Sequence, residues 1–154
     1  GWYVGDTINM SIGQGFLQTS PLQVAVMFAV PANGGYLVTP HLLKDSRTED
    51  DWRESVGLQP VTIEVLQDGL RQVISSGTAR SLNLPNIPLI AGKTGTAAAP
   101  PFENHAWFGA YAPAENPEVL IVAFAEHSGG GGGSVAAPMV KQMLEAYYKD
   151  WQKP

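Results

Sequence analysis

The spacing of apolar residues predicts three helices, and the clearest one spans residues 62–76. Its polar residues face away from one apolar stripe, which recurs every three to four positions, as on one face of a helix. We expect Thr62 to cap its start and Gly77 to end it. The stripe comprises Ile63, Leu66, Leu70, Val73 and Ile74.

A second helix is predicted to begin at Ser20-Pro21, because serine is a favourable N-cap and proline is tolerated at the first helical position. Residues 22–30 are apolar almost all round, which is typical of a buried helix. Pro31 should bend or end it, since its ring clashes with the carbonyl of Met27. Residues 1–19 lack a clear period and contain several glycines, so we expect a loop with tight turns.

The third helix is predicted to begin at Ser134, and Pro138 fits only within its first turn. Before it, the glycine run at positions 129–133 predicts a flexible loop. The expected core stripe of this helix is Val140, Met143, Leu144, Tyr147 and Trp151.

Three consecutive apolar segments, residues 89–97, 105–112 and 119–125, predict an antiparallel sheet, because their connections are short. The last is apolar on both faces, so we expect a central strand covered on both sides. Residues 36–39 are a further short strand candidate, and the polar residues 44–59 an exposed excursion that could form a hairpin. Helices before and after a run of strands indicate an α+β fold, with an antiparallel sheet flanked by helices.

Composition narrows the class of protein. The chain has 154 residues, enough for one domain with a hydrophobic core, and only 15% of them are charged. Its net charge is −5 and it has no basic cluster, which argues against nucleic acid or acidic lipid as a partner. Cysteine is absent, so disulfides and thiolate chemistry are excluded. No apolar run approaches the ~20 residues that span a bilayer.

The segment 89–97 carries the strongest candidate chemistry. It begins as an apolar strand and ends in Gly92-Lys93-Thr94-Gly95-Thr96. Glycine weakens a strand and is usually tolerated where a ligand or another backbone comes close. The segment therefore predicts a strand that borders a cleft with one cation and two hydroxyls. Taken alone, the Lys-Thr-Gly tripeptide favours an ordinary edge strand with a solvated lysine, and only the neighbouring segments can overturn that interpretation.

The other candidate sites have weaker support in the sequence. His41, His105 and His127 lack a second histidine or an acid at a metal-site spacing, so no metal is expected. The glycine run lacks the Lys-Ser/Thr that a phosphate loop requires, so no nucleotide cofactor is expected. His105 is a candidate for packing, or for a cleft wall beside Trp107.

The chain contains only part of the sequence motifs that enzymes with a serine nucleophile usually carry. The chain contains neither Gly-x-Ser-x-Gly nor Ser-x-x-Lys. Lys93-Thr94-Gly95 matches the third of three elements of penicillin-interacting serine enzymes, after Ser-x-x-Lys and a Ser-x-Asn triplet. Ser81-Leu82-Asn83 matches the second element by letters, but it directly precedes the Lys-Thr-Gly strand, so we treat it as a coincidence.

Several short motifs follow one another in a fixed order along nearly the whole chain. They are Gly5-Asp6-Thr7, Gly13-Gln14-Gly15, Thr19-Ser20-Pro21-Leu22-Gln23, Ala32-Asn33-Gly34-Gly35, Ala91-Gly92-Lys93-Thr94-Gly95-Thr96-Ala97, His105-Ala106-Trp107-Phe108 and Gly133-Ser134-Val135-Ala136-Ala137-Pro138. Together they resemble the C-terminal part of the transpeptidase domain of class B penicillin-binding proteins, especially the penicillin-binding protein 2 group. Residues 26–31 and the glycine run resemble the cyanobacterial type.

The resemblance implies a penicillin-binding transpeptidase/β-lactamase-like fold and a peptidoglycan D,D-transpeptidase. Such an enzyme cross-links stem peptides by serine acyl transfer and is acylated by β-lactams. Lys93 would supply positive potential and assist proton transfer, while the hydroxyls of Thr94 and Thr96 would hold the substrate carboxylate. The backbone N–H of Thr96 would be one oxyanion donor, and Gly95 would let the substrate backbone lie along the strand. Further substrate-binding candidates are His105 and Trp107.

Strand geometry sets a condition on these roles. Side chains alternate between the two faces of a strand, so Lys93 should lie opposite Thr94 and Thr96. All three can serve one site only if this strand forms an edge of the cleft.

The catalytic serine, its lysine and the genuine second motif are missing from this sequence, and we expect them N-terminal to Gly1. Residues 1–154 would then be the C-terminal portion of a single transpeptidase domain, inactive alone and with exposed apolar surface around residues 22–30. The implied partners are peptidoglycan stem peptides, β-lactams, the N-terminal part of the same domain and membrane-bound wall-synthesis proteins. The implied location is the outer face of the bacterial cytoplasmic membrane, in the periplasm, with an anchoring segment N-terminal to this chain.

Three alternatives remain open. The chain could belong to a non-catalytic module that binds penicillin or stem peptides. It could belong to a β-lactamase-related hydrolase. It could also be a structural fragment that folds only with its complement.

Overall fold

The computed structural model describes residues 1–43 and 47–151, without the side chains of residues 49, 150 and 151. The helices are α1 (Val4–Ser11), α2 (Pro21–Ala32), α3 (Pro60–Ser75) and α4 (Ala137–Trp151). The strands are β1 (Tyr36–Val38), β2 (Arg53–Ser55), β3 (Ala91–Ala99), β4 (Phe102–Ala112) and β5 (Val119–Ala125). Short helical turns occupy Glu49–Trp52, Arg80–Leu82 and Gly132–Ala136. None of the helices in the described residues is both long enough and apolar enough to cross a bilayer.

The main sheet has the order β3-β4-β5, with both pairs antiparallel, so the predicted meander and the α+β class are confirmed. The expectation that residues 119–125 form a central strand is wrong, because β4 is central and β5 pairs with β4 alone among the described strands. β5 is apolar on both faces because α2 contacts it from one side and α4 from the other. Coverage of the faces and position in the sheet are separate properties, and the sequence pattern reports only the first.

A second, two-stranded sheet pairs β1 with β2, with Tyr36 opposite Ser55. The short strand predicted at residues 36–39 is confirmed as β1, and nearly all described residues of the predicted excursion 44–59 are exposed. The described residues 47–59 form no hairpin of their own, because their one strand, β2, pairs with β1. Residues 44–46 lie outside the described part.

The two faces of the main sheet pack against different helices. On one face, Ala106 and Phe108 of β4 are fully buried in a core shared with Val140 and Leu144 of α4. On the other face, Tyr111 packs in a smaller cluster beside α2 and α3. Apolar residues therefore cover β4 on both faces, and this fixes the strand register, since a one-residue slip would exchange the two sets.

The N-terminal segment departs from the predicted loop, because residues 4–11 form α1. Its first turn is closed by the backbone N–H of Tyr3, which donates to Oδ2 of Asp6 at 2.8 Å. No α1 residue is buried, so this helix has no buried apolar face among the described residues. It therefore lacks the apolar periodicity from which the other helices were predicted. The predicted tight turns follow it at Gly13 and Gly15, which have φ of 72° and 86°.

The capping of α2 is as predicted: Oγ of Ser20 accepts from the backbone N–H of Gln23 at 3.3 Å. The helix continues one residue beyond Pro31 before it ends. The expectation of burial all round is wrong, since Phe28 is buried but Leu22 and Met27 are 60% and 58% exposed.

Two further details of the helices differ from the predictions. α3 begins at Pro60 with Gln59 as its N-cap, so Thr62 is not the cap, because a proline at the first position already starts the helix. Within its stripe, Ile63 and Ile74 are buried but Leu66 is 43% exposed.

At the C-terminal end, helical structure begins at Gly132 rather than at Ser134. Val140 and Leu144 are buried as predicted. Met143 is 51% exposed, contrary to the prediction, whereas Tyr148, which the predicted stripe did not include, is buried. The side chain of Trp151 lies outside the described part.

Candidate active site

The predicted site segment lies on β3, which is an edge strand of the described sheet. β3 pairs only with β4 among the described strands, with Lys93 opposite Gly109 and Thr96 opposite Ala106. The strand begins two residues later than predicted, at Ala91, and extends to Ala99. One side of β3 is therefore available to a ligand.

The expected alternation of side chains holds. Directly opposed residues of an antiparallel pair share a face, and Ala106 and Phe108 face α4. Thr94 and Thr96, their partners, therefore point to that face. Gly109, the partner of Lys93, faces the ring of Phe28 on α2. Lys93 thus lies on the face opposite the two threonines.

The three residues nevertheless converge at the open edge. Nζ of Lys93 donates to the backbone carbonyl of Thr94 at 2.8 Å. Nε2 of Gln14 donates to the backbone carbonyl of Thr96 at 3.0 Å, approaching from outside the sheet. A residue in an antiparallel strand directs its N–H and C=O to the same side. The N–H of Thr96 therefore also points out of the open edge, beside the Lys93 cation.

Lys93 is the cation of this edge. Its side chain is exposed, and none of the ion pairs among the described residues includes it. Its positive charge is therefore available to an anionic ligand, because no carboxylate of the described chain neutralises it.

Each threonine hydroxyl has one partner on the α4 side. Oγ1 of Thr94 lies 2.7 Å from Oγ1 of Thr78, and either atom can be the donor. Oγ1 of Thr96 accepts from the backbone N–H of Gly132 at 3.3 Å. Both hydroxyls are thus held by segments far away in the sequence.

Part of the glycine run departs from the predicted loop, because the helical turn Gly132–Ala136 begins within it. A Cβ at Gly132 would lie 2.2 Å from the Trp107 carbonyl oxygen and 2.7 Å from the backbone of Gly95, far inside contact distance. A Cβ at Gly133 would lie 2.7 Å from the carbonyl oxygen of Thr78. These glycines permit the segment to pack directly on the backbone of β3 and β4.

The structure places Trp107 and His105 next to the site rather than at its edge. Trp107 lies opposite Gly95 and packs on Phe124 with ring centroids 4.2 Å apart. His105 lies opposite Ala97, and its Nδ1 accepts from the backbone N–H of His127 at 3.0 Å. Both are half-buried. The substrate-binding role given to them stays a prediction.

Sequence reasoning missed three residues that contact the site: Gln14, Thr78 and Gly132. Their signals were faint, since glycines flank Gln14, Gly77 precedes Thr78 and Gly132 lies in the glycine run. Nothing in the sequence indicates that any of them reaches β3. Gln14 is 82 residues from Thr96, and Gly132 is 36 residues from it.

Comparison with known proteins identifies the family to which this chain belongs. The profile of the family described as penicillin binding protein transpeptidase domain matches residues 1–145. The chain is 30% identical over 171 residues to the peptidoglycan D,D-transpeptidase MrdA of Haemophilus influenzae. That alignment covers 95% of this chain and 26% of the relative, so the chain spans about a quarter of its length.

Two solved structures share the fold. The chain superimposes with a TM-score of 0.83 on Pseudomonas aeruginosa PBP2 in complex with WCK 5153, at 37% identity over 95% of this chain and 33% of that one. It superimposes with a TM-score of 0.82 on the Helicobacter pylori complex between PBP2 and MreC, at 30% identity over 96% of this chain and 28% of that one. The cyanobacterial origin stays a prediction.

The expected penicillin-binding transpeptidase fold is therefore confirmed as a partial domain, built around the open edge of β3. With the family profile matching nearly the whole chain, the chain belongs to the penicillin-binding protein transpeptidase family, of the PBP2/MrdA type.

Proposed function

We propose that this chain forms one wall of the active site of a peptidoglycan D,D-transpeptidase. The observation that carries the proposal is the open edge of β3, where the N–H of Thr96 points outward beside the Lys93 cation, which is bound to the Thr94 carbonyl. A backbone donor and a cation at one edge suit an acyl transfer in which an oxyanion forms beside a bound carboxylate.

The residues divide the chemistry as follows. Lys93 attracts the terminal carboxylate of the stem peptide and assists proton transfer near the nucleophile. The hydroxyls of Thr94 and Thr96 donate to that carboxylate, and the Thr96 N–H donates to the oxyanion. Gly95 lets the substrate backbone lie along the strand.

The nucleophilic serine comes from residues outside this chain. It attacks the carbonyl of a D-alanyl-D-alanine end, expels the terminal D-alanine and leaves an acyl-enzyme, which an amine of a neighbouring stem then takes up. A β-lactam acylates the same serine, but its leaving amine stays tethered and the adduct persists. Residues 1–154 are thus the C-terminal portion of one transpeptidase domain.

The surface of the chain supports this division of the domain. Large apolar side chains of α1 to α3 are exposed, and α2 packs on the Lys93 side of the sheet through Phe28 and Gly109. A patch of this kind marks an interface. We infer that the nucleophile-bearing part of the domain packs there. The exposed side chains include Val4, Ile8, Leu22, Met27 and Val65.

The protein that carries this chain acts at the outer face of the cytoplasmic membrane, in the periplasm, anchored by a segment N-terminal to it. This location follows from the substrate, since peptidoglycan is cross-linked outside that membrane. Membrane-bound wall-synthesis proteins are its partners, a proposal that the H. pylori PBP2–MreC complex supports.

Lys93→Ala in the full-length parent protein tests the proposal. We expect acylation by benzylpenicillin to slow by roughly 100-fold, because the variant loses the charge that attracts the carboxylate and assists proton transfer. Labelling with a fluorescent penicillin, followed over time on a denaturing gel, measures the rate. Lys141→Ala is the matched control, since Lys141 is a partly exposed cation on α4, 3.9 Å from Glu145.

The outcomes separate the candidate functions. A stable covalent adduct that Lys93→Ala slows supports the transpeptidase. Rapid release of hydrolysed antibiotic would favour a β-lactamase-related hydrolase, and reversible binding without an adduct would favour a non-catalytic module. Unchanged acylation of Lys93→Ala would remove the central residue of the proposal.

A further inference from the structure

The hydroxyl of Thr96 is held in a different way from that of Thr94. Thr94 shares its hydrogen bond with another hydroxyl, that of Thr78, and either atom can donate. The partner of Thr96 is the backbone N–H of Gly132, which can only donate. The direction of the proton is therefore open at Thr94 and constrained at Thr96.

We propose that Gly131 and Gly132 are positioning residues that direct the proton of the Thr96 hydroxyl toward the carboxylate of the bound ligand. A hydroxyl has one proton and two acceptor lone pairs. The Gly132 N–H engages a lone pair at 3.3 Å, so the proton of Thr96 must point elsewhere. A carboxylate can only accept, and it requires that proton. The inference rests on the proposed function, because it assigns the ligand its carboxylate.

Close contacts exclude a side chain at Gly132 and leave little room for one at Gly131. At Gly132, a Cβ would collide with the carbonyl of Trp107 at 2.2 Å, so no side chain allows the N–H to come this near to β3. At Gly131, a Cβ would lie 3.0 Å from Oγ1 of Thr96. Any residue but glycine there presses directly on the hydroxyl.

The turn that presents Gly132 is itself fixed. The backbone N–H groups of Ser134 and Val135 donate to the carbonyl of Gly131 at 3.1 and 3.0 Å. The N–H of Gly131 in turn donates to Oγ of Ser134 at 3.2 Å. These bonds hold the orientation of the peptide units, so the Gly132 N–H faces Thr96 before any ligand arrives. Donors placed in advance need no reorganisation when charge approaches.

The test uses Gly131→Ala in the full-length parent protein. Gly131 has φ −96° and ψ 169°, which alanine adopts without strain, so the methyl acts through its contact with Thr96. We expect the dissociation constant of benzylpenicillin before acylation to rise about tenfold, near the loss of one hydrogen bond to a charged group. The acylation rate constant at saturation should change less than about twofold. Gly69→Ala is the control, because no atom lies within 4 Å of a Cβ there.

A double-mutant cycle with Thr96→Ala shows whether Gly131→Ala weakens binding through the Thr96 hydroxyl. Once the hydroxyl is absent, Gly131→Ala should weaken binding no further. A tenfold loss that persists in the Thr96→Ala background overturns the inference, as does unchanged binding in Gly131→Ala alone. In those cases the parent is still acylated and the proposed function stands. A parent protein that benzylpenicillin does not acylate overturns the proposed function and this inference with it.

Discussion

Two distant segments of the chain contact Thr96, and its N–H stays directed out of the open edge. Its carbonyl accepts from Gln14, its hydroxyl accepts from Gly132, and its N–H points out of the open edge. Gln14 belongs to the turn after α1, and Gly132 to the turn before α4. The geometry of one strand residue therefore depends on both ends of the chain.

Gln14→Leu in the full-length parent should slow acylation by benzylpenicillin about fivefold. The leucine fills similar space but cannot donate to the Thr96 carbonyl, and one hydrogen bond is worth about 1 kcal/mol. Stopped-flow or gel-based acylation kinetics measure the change, with Gln18→Leu on the exposed part of the same segment as the control. An acylation rate equal to that of the unmodified protein would show that Gln14 is dispensable.

At the scale of elements, β4 and α2 meet with no room between them. A Cβ at Gly109 would lie 2.6 Å from Cε2 of Phe28, and Phe28 is buried. Gly109 is also the partner of Lys93 in the sheet. The contact that seats α2 therefore lies directly beside the candidate site.

Gly109→Ala should lower the stability of the domain by about 1–3 kcal/mol, because overpacking forces the ring or the strand to move. A thermal melt of the full-length parent measures this as a lower melting temperature. Adding Phe28→Leu makes space, so the double variant should be more stable than the sum of the two single effects predicts. Strict additivity would refute the contact, and Gly5→Ala, where nothing lies within 4 Å, serves as the control.

At the scale of the whole molecule, the chain combines a well-packed sheet with an uncovered helical side. Residues between β4 and α4 are fully buried, whereas α1 contributes no buried residue. Lys93 and Trp107 lie on the sheet face that packs against Phe28 of α2. Leu22 and Met27 of this helix are 60% and 58% exposed, so part of the exposed apolar surface belongs to the helix that packs on the Lys93 face.

Residues 1–154 alone should form no covalent adduct with a fluorescent penicillin, while the full-length parent should be labelled. The reason is chemical, since an oxyanion donor and a carboxylate anchor do not attack a carbonyl without a nucleophile. Denaturing gels and mass spectrometry of the two proteins measure the difference. A stable adduct on the isolated chain would disprove the assignment of the nucleophile to residues outside it.

The sequence by itself determined the parts of this protein that local chemistry decides. Ser20 caps α2, and the apolar segments pair as a meander, because capping and alternation act between near neighbours. The Lys-Thr-Gly segment was assigned from residue types and their order along the chain. The faces of β3 could also be predicted, since side chains alternate in every strand.

Only the tertiary structure decided which distant groups meet. Gln14 and Gly132 reach Thr96 across 82 and 36 residues, and no local pattern encodes such pairs. The glycine run shows the limit of prediction from composition. Its composition predicts a flexible loop, whereas in the structure Gly132 lies so close to the backbone of Trp107 that no side chain would fit. The position of α1 was likewise beyond local patterns. Burial depends on what covers a helix, and α1 has no buried residue in the described chain.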